Sequence, residues 1–202
     1  MSEFLEPNRN WWRIYLVYPL IAAVLAVGLT LLQPLEYRAN SQILVIHKIL
    51  PNLDAYSAAR ASEKLSQNLA EIIGTASFVA VLQETQPIVP LNFLEVDEAK
   101  KRQQWERKVE ARAVNSLLEI SVYDPVPQNA VNLNYAIIQT LLAQGDEFHG
   151  GGENIRLKLV NPPLSSRYPA RPNFLLNLIL AGLTGLALAY LHIYLNFNRS
   201  LK

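Results

Sequence analysis

The sequence predicts an α/β domain, a three-stranded layered sheet with helices, held between two transmembrane helices. Three observations predict it. Uncharged apolar runs, Ile14–Leu32 and Phe174–Phe197, lie near the two ends of the 202-residue chain. Between them, short alternating segments are interspersed with segments whose apolar residues recur three and four apart, the patterns of strands and helices. A proline-rich stretch, Asn161–Asn173, then leads into the second apolar run.

A helix of roughly 19 residues spans a hydrocarbon core about 30 Å thick, which Ile14–Leu32 satisfies. Trp11, Trp12, Tyr15 and Tyr18 crowd its start, where aromatic rings favour the headgroup layer, and Pro34 closes it. A cleavable signal peptide is the competing reading. The run is long for one, and Gln33-Pro34-Leu35-Glu36 is not a small-residue cleavage site. In Phe174–Phe197 each Leu, Ile or Phe favours insertion by roughly 0.3–0.6 kcal/mol. The polar residues Asn177, His192 and Asn196 lie towards its ends. Length and all-round apolarity argue against a buried core helix. Small residues recur four apart in both runs, Ala22, Ala26 and Thr30 in one and Ala181, Gly185 and Ala189 in the other. Such rows allow close helix approach and are candidates for packing within the hairpin or for self-association.

Two spans place both termini on one side. Basic residues flank both sides almost equally, with Arg9, Arg13, Arg199 and Lys202 against Arg38, Lys48, Arg167 and Arg171. The short tails, 1–13 and 198–202, and the domain-sized segment 33–160 lead to the expectation of cytoplasmic termini and an extracytoplasmic domain.

Within that segment, Tyr37–Lys48 alternates and ends in β-branched residues, as a strand does. Asp54 caps an expected helix to Ile73, with Ala58, Ala61, Leu65, Leu69 and Ile72 on one face and Gly74 at its end. A short helix, Phe78–Leu82, and a loop with Pro87 and Pro90 follow. The pattern over Asp97–Ala113 predicts a charged helix with four-apart pairs Asp97–Lys101 and Glu98–Arg102 and a narrow stripe of Trp105, Val109 and Ala113. Leu117–Tyr123 reads as a strand with Leu118, Ile120 and Val122 on one face. The Asp124-Pro125 turn and Pro127 start a third long helix, with Val131, Tyr135, Ile138 and Leu142 apolar. It ends at the Gly150–Gly152 joint, before the strand Ile155–Val160. Helices linking strands imply crossover connections. Pro162, Pro163, Pro169 and Pro172 make 161–173 a stiff, extended strut.

Chemistry leaves few marks. A net charge of +1 argues against nucleic acid as partner, since neutralising phosphates takes a basic surplus. With no cysteine, disulfides, thiolate metal sites and cysteine nucleophiles are excluded together. Phosphate-loop, G-x-S-x-G and H-E-x-x-H motifs are absent from the sequence. His149 lies near Asp146, Glu147 and Glu153, which reads as a hydrated helix end before it reads as a metal site. His192 reads as an interfacial residue of the second span. No catalytic, cofactor-binding or metal residue is expected, and the chain reads as a non-enzyme.

Taken in order, several segments resemble the Wzz-type chain length determinants, the polysaccharide co-polymerases. These are the first span, the segment Tyr37-Arg38-Ala39-Asn40-Ser41, the helix Ala58–Ile73 and the run Ser77–Leu82. Ile120–Pro125, with Ala130 and Asn134 after it, is similar to the family's strand, Asp-Pro turn and helix, and the proline strut and second span complete the order. Gram-negative members carry a long helical extension, where Pro87–Arg112 leaves room for a short one. The size is closer to short members that work with a separate tyrosine kinase, and no kinase domain is fused. The resemblance implies a non-enzymatic, ring-forming homo-oligomer in the cell inner membrane. It would act with a polysaccharide polymerase and the growing glycan to set chain length in O-antigen, capsule or exopolysaccharide. The charged helix Asp97–Ala113 and the helix Asp54–Ile73 are candidates for the two patches of a head-to-tail interface. The alternative is a two-span extracytoplasmic sensor or a structural subunit of an envelope complex.

Overall fold

Residues 11–47, 54–86, 97–149 and 154–200 are described by a computed structural model, without the side chains of 146, 147, 149 and 196–200. The expected Gly150–Gly152 joint, Lys48, Glu153, and most of the loop containing Pro87 and Pro90 lie outside them. The chain divides into two units, Met1–Leu35 with Arg171–Lys202, and Glu36–Ala170.

The first unit holds two helices, α1 (Trp11–Leu31) and α6 (Phe174–Ser200), both long and apolar enough to cross a membrane. They pack against each other as a pair, and most of their large apolar side chains are exposed. For a helix in lipid that exposure costs nothing.

The second unit is built on one antiparallel sheet. Its strands are β1 (Tyr37–His47), β2 (Val109–Val114), β3 (Leu117–Asp124) and β4 (Ile155–Ser165), in the order β2-β3-β1-β4. Helices α2 (Ala55–Ile73), α3 (Ala76–Thr85), α4 (Glu98–Lys108) and α5 (Pro127–His149) complete it. The first-made strand is central. Ala39, Ser41, Ile43 and Val45 of β1 are buried, while the residues between them are half-buried. Leu118, Ile120 and Val122 of β3 point to the same side, and α2 and α5 cover it. Leu69, Ile73, Phe78, Val79, Leu82, Leu133, Ile137 and Leu141 fill the space between.

The sheet has four strands where three were expected. The charged helix ends at Lys108, and Val109–Val114 forms β2. The spacing of Trp105, Val109 and Ala113 suits a helix, but Val109, Ala111 and Ala113 alternating with Glu110, Arg112 and Val114 suit a strand equally well. The partner decides between them, because β3 lies across a two-residue turn and pairs Val114 with Leu117. Asn115 takes φ 55°, a left-handed conformation that asparagine tolerates better than most residues. In α4, Lys101 pairs with Glu98 and Arg102 with Glu106, where Asp97 and Glu98 were the expected partners. Strand pairing is antiparallel throughout.

Helix faces also differ from expectation. In α2 the buried residues are Ala58, Ser62, Ser66, Leu69 and Ile73. Two serines sit inside because each bonds backbone. The Ser62 hydroxyl donates to Ala58 O and accepts from His47 N, and that of Ser66 donates to Asn115 O at 2.5 Å. In α5, Ile138 is buried and Val131 half-buried as expected, Tyr135 and Leu142 are exposed, and Ala130, Leu133, Ala136, Ile137 and Leu141 are buried as well. The small residues Ala130 and Ala136 let the helix lie close to the sheet. Asp54 caps α2 by accepting from Ser57 N at 2.7 Å, and this bond, followed by one from the Ser57 hydroxyl, holds its carboxyl below the ordinary range. Gly74 ends α2 in right-handed geometry, and Thr75 caps α3, which leaves α2 at 80° and runs longer than Phe78–Leu82.

Candidate functional site

Among the described residues, α2 and α5 cover one face of the sheet, so the other face is the first surface to consider. Register places Arg38, Asn40, Gln42 and Leu44 of β1 beside Tyr123, Ser121, Glu119 and Leu117 of β3, with Glu110 and Arg112 of β2 beyond. These side chains bind one another. Arg38 Nε donates to Ser121 Oγ at 3.0 Å, and its Nη2 meets Glu119 Oε1 at 3.4 Å. Asn40 Nδ2 donates to the same Glu119 oxygen at 2.8 Å, and Tyr123 OH to Glu110 Oε2 at 3.3 Å. A polar recess of about 120 Å³ opens among Arg38, Glu110, Arg112, Glu119, Ser121 and Tyr123. Partly exposed ion pairs such as Arg38–Glu119 contribute little stability, typically about 0–1 kcal/mol, and Ser121 and Tyr123 beside it are buried. The side chains around the recess offer alternating donors and acceptors that can be exchanged for those of a hydroxyl-rich or peptide ligand.

A larger groove, about 880 Å³, runs between α2, α4 and β2. It brings together the two segments singled out for a head-to-tail interface, through Gln67 and Glu71 of one and Arg102, Glu106 and Arg112 of the other. Trp105 forms the floor of α4. It is 1% exposed, and its indole N–H donates to Ile73 O at 2.7 Å, tying α4 to the end of α2.

The Asp124-Pro125 turn anchors the opposite side of the sheet. Asp124 Oδ1 accepts from Val126 N at 2.9 Å, and Oδ2 takes Lys108 Nζ at 2.5 Å. The turn thus joins β3, the start of α5 and the end of α4. Asp124→Ala is expected to destabilise the domain by about 2 kcal/mol, since it removes a carboxylate that accepts from a largely buried ammonium and from a turn amide. Urea unfolding of the two proteins, followed at a β3 amide by hydrogen exchange, measures the difference.

The four prolines do not act as one free strut. Pro162 and Pro163 lie inside β4, an edge strand, where register shifts place extra residues opposite Asn40–Ile43 of β1. Proline is tolerated at an edge or a bulge because no ladder donor is lost there. The chain then stays bonded to β1, through Ser166 N to Arg38 O and Ala170 N to Glu36 O, each 2.7 Å. Pro169 falls in this stretch, and Pro172 follows Arg171 through a cis peptide.

Within the helix pair, Thr30, Ala181, Gly185 and Ala189 are buried, and Ala22 and Ala26 are half-buried. Gly185 lies directly on the α1 backbone at Tyr18 and Pro19. Two polar contacts bracket that crossing. Tyr18 OH meets His192 Nδ1 at 3.0 Å, and Asn177 Nδ2 donates to Thr30 Oγ1 at 3.1 Å. The His149 cluster lies outside the described side chains.

One residue matters more than its sequence setting suggested. Asn134 is fully buried in α5. Its amide donates to Ala39 O at 3.1 Å and Ile120 O at 3.0 Å, and its carbonyl accepts from Ser41 Oγ at 2.6 Å. It fastens the helix to both central strands. Its setting in the sequence, between Leu133 and Tyr135 and two residues after Asn132, reads equally as a solvated position.

The chain matches no known protein-family model, and no curated protein matches it.

Proposed function

We propose that the protein is a non-enzymatic membrane scaffold that sets chain length in the synthesis of a surface polysaccharide. The observation that supports this most is the way the Glu36–Ala170 domain begins and ends. Its first strand pairs with its last, Ala39 opposite Ser165, so the chain enters and leaves the domain side by side. A domain threaded in this way suits anchoring by a two-helix hairpin. The order of strand, Asp-Pro turn and Asn134-bearing helix, resembling the co-polymerases, adds the function. On this reading both termini are cytoplasmic and the domain stands outside the cell inner membrane. Several copies form a ring, and the polar sheet face meets the polymerase or the hydroxyls of the growing glycan. A separate tyrosine kinase is a further partner implied by the short form.

The test is the size distribution of surface polysaccharide on a gel, for a strain lacking the gene and the same strain complemented. The modal length is expected to collapse or shift on deletion and to return on complementation. An unchanged distribution, with no second such gene present, would overturn the proposal in favour of a sensor or envelope subunit.

A further inference from the structure

Two side chains stand out on the surface of the Glu36–Ala170 unit. Leu164 is 73% exposed and Tyr168 74%, the highest values among the unit's described large apolar residues. Single exposed apolar residues are ordinary on a protein surface. These two lie four apart and flank Arg167, which is exposed as well. They do not sit on a loose tail. Leu164 is opposite Asn40 in the β1–β4 ladder. Beyond it, Ser166 N donates to Arg38 O and Ala170 N to Glu36 O, each at 2.7 Å, and Arg38 N donates back to Ser166 Oγ at 3.0 Å. The backbone is thus fixed, and it presents Leu164, Arg167 and Tyr168 at the end of the sheet where the chain enters and leaves.

Three properties bear on what this projection meets. The first is chain length. Tyr168 is six residues before Phe174, where α6 begins, so at most about 22 Å of extended chain separates the two. Arg38, bonded to the same segment, follows the end of α1 at Leu31 by seven residues. The second is side-chain chemistry. Tyrosine, apolar with one polar tip, favours the headgroup layer, and leucine favours the hydrocarbon beneath it. A glycan could meet the arginine but would gain nothing from Leu164. The third is charge. Asn154–Ala170 carries Arg156, Lys158 and Arg167 with no Asp or Glu, and all 17 acidic residues of the chain precede it. A basic segment beside a span is attracted to anionic headgroups.

We infer that Leu164, Arg167 and Tyr168 rest on the membrane surface, the two apolar side chains within the headgroup layer and the arginine against anionic lipid headgroups. The bilayer then bears on the domain directly, as well as through its two connections to the helices. The inference requires that α1 and α6 cross a bilayer. It is independent of the side on which the domain stands and of the role in polysaccharide synthesis.

The cysteine-free chain takes single labels. A bimane label on Tyr168→Cys is compared with one on Tyr56→Cys, whose tyrosine is 70% exposed. Tyr56 begins α2 near the far end of β1, where His47 N donates to Ser62 Oγ at 3.0 Å. The full chain is reconstituted in vesicles of phosphatidylcholine with phosphatidylglycerol, and in phosphatidylcholine alone. A lipid with a headgroup nitroxide is expected to quench the Tyr168→Cys label several-fold more than the Tyr56→Cys label, and aqueous iodide to show the reverse order. One basic residue favours contact with an anionic surface by roughly fivefold, so the lipid quenching is expected to be stronger with phosphatidylglycerol and to lose that excess on Arg167→Glu. Leu164→Glu is expected to lower it in both lipids. Two labels equally open to iodide would overturn the inference. So would lipid quenching that is the same in both compositions and unmoved by Arg167→Glu and Leu164→Glu, which is what a short tether alone produces. A Tyr168→Cys label shielded from iodide yet not quenched by lipid would overturn it too, in favour of cover by a second copy.

Discussion

Replacing Trp105 by alanine is expected to destabilise the Glu36–Ala170 domain by about 3–5 kcal/mol, the usual cost of deleting a buried aromatic side chain. The indole is 1% exposed and is the only buried side chain of α4, whose other residues are charged or polar apart from the exposed Ala99. Without it, α4 has no apolar attachment to the sheet. Ile73 O also loses its donor. Trp105→Phe keeps most of the packing and loses the bond, so a smaller cost of about 1–3 kcal/mol is expected for it. Denaturant dependence of hydrogen exchange in β3 measures both. A loss below about 1 kcal/mol for Trp105→Ala would mean that α4 does not hold its place through this side chain.

Gly185→Leu is expected to force α1 and α6 apart, whereas Gly182→Leu is expected to leave them in place. A Cβ at Gly185 would fall within 3 Å of the Tyr18 O and Pro19 N backbone atoms. Backbone cannot swing aside as a side chain can. At Gly182 an added Cβ meets nothing within 4 Å. Helix pairs pack 8–10 Å apart according to the side chains between them, so an opening of about 2 Å is expected. Spin labels on the exposed positions Leu29 and Leu178, read in lipid bilayers by pulsed electron resonance, give the distance. Equal effects from the two variants would show that Gly185 is not the crossing point.

These two sites differ in how far the sequence exposed them. The apolar helices were legible because each is uniformly apolar over more than a membrane's thickness, and no tertiary partner is needed to define that. Gly185 was visible in a row of small residues, but its distinction from Gly182 depends on which side of α6 faces Pro19. Trp105 was visible as the apolar member of a charged segment. The strand following it was not, because VEARAV satisfies both periods and only pairing with β3 selects one. The Val114-Asn115-Ser116-Leu117 turn was the available signal, an asparagine between two alternating segments. The inner faces of α2 and α5 are legible in part for a related reason. Ala58, Leu69 and Ile138 are buried as their spacing predicts, yet Ser62, Ser66 and Asn134 are also buried with their polar atoms bonded, and Tyr135 and Leu142 are left outside. Burial of a polar group is decided by partners distant in sequence, which periodicity does not contain. The polar sheet face was obscured similarly, since the strand that extends it was read as helix.

The central place of β1 has a consequence for the order in which the protein is made. A chain emerging from the N-terminus delivers its middle strand first, and both neighbours of that strand come later. Ile43-Leu44-Val45-Ile46 waits until Leu117–Asp124 has been synthesised, and then for Ile155–Ser165, before each side is paired. Short β-branched runs with bare edges are the segments through which incomplete chains stick to one another. Nascent or truncated forms ending before Leu117 therefore carry an adhesive stretch that the finished domain hides. The safe handling of this protein depends on keeping those four residues apart from their copies until the last strand arrives.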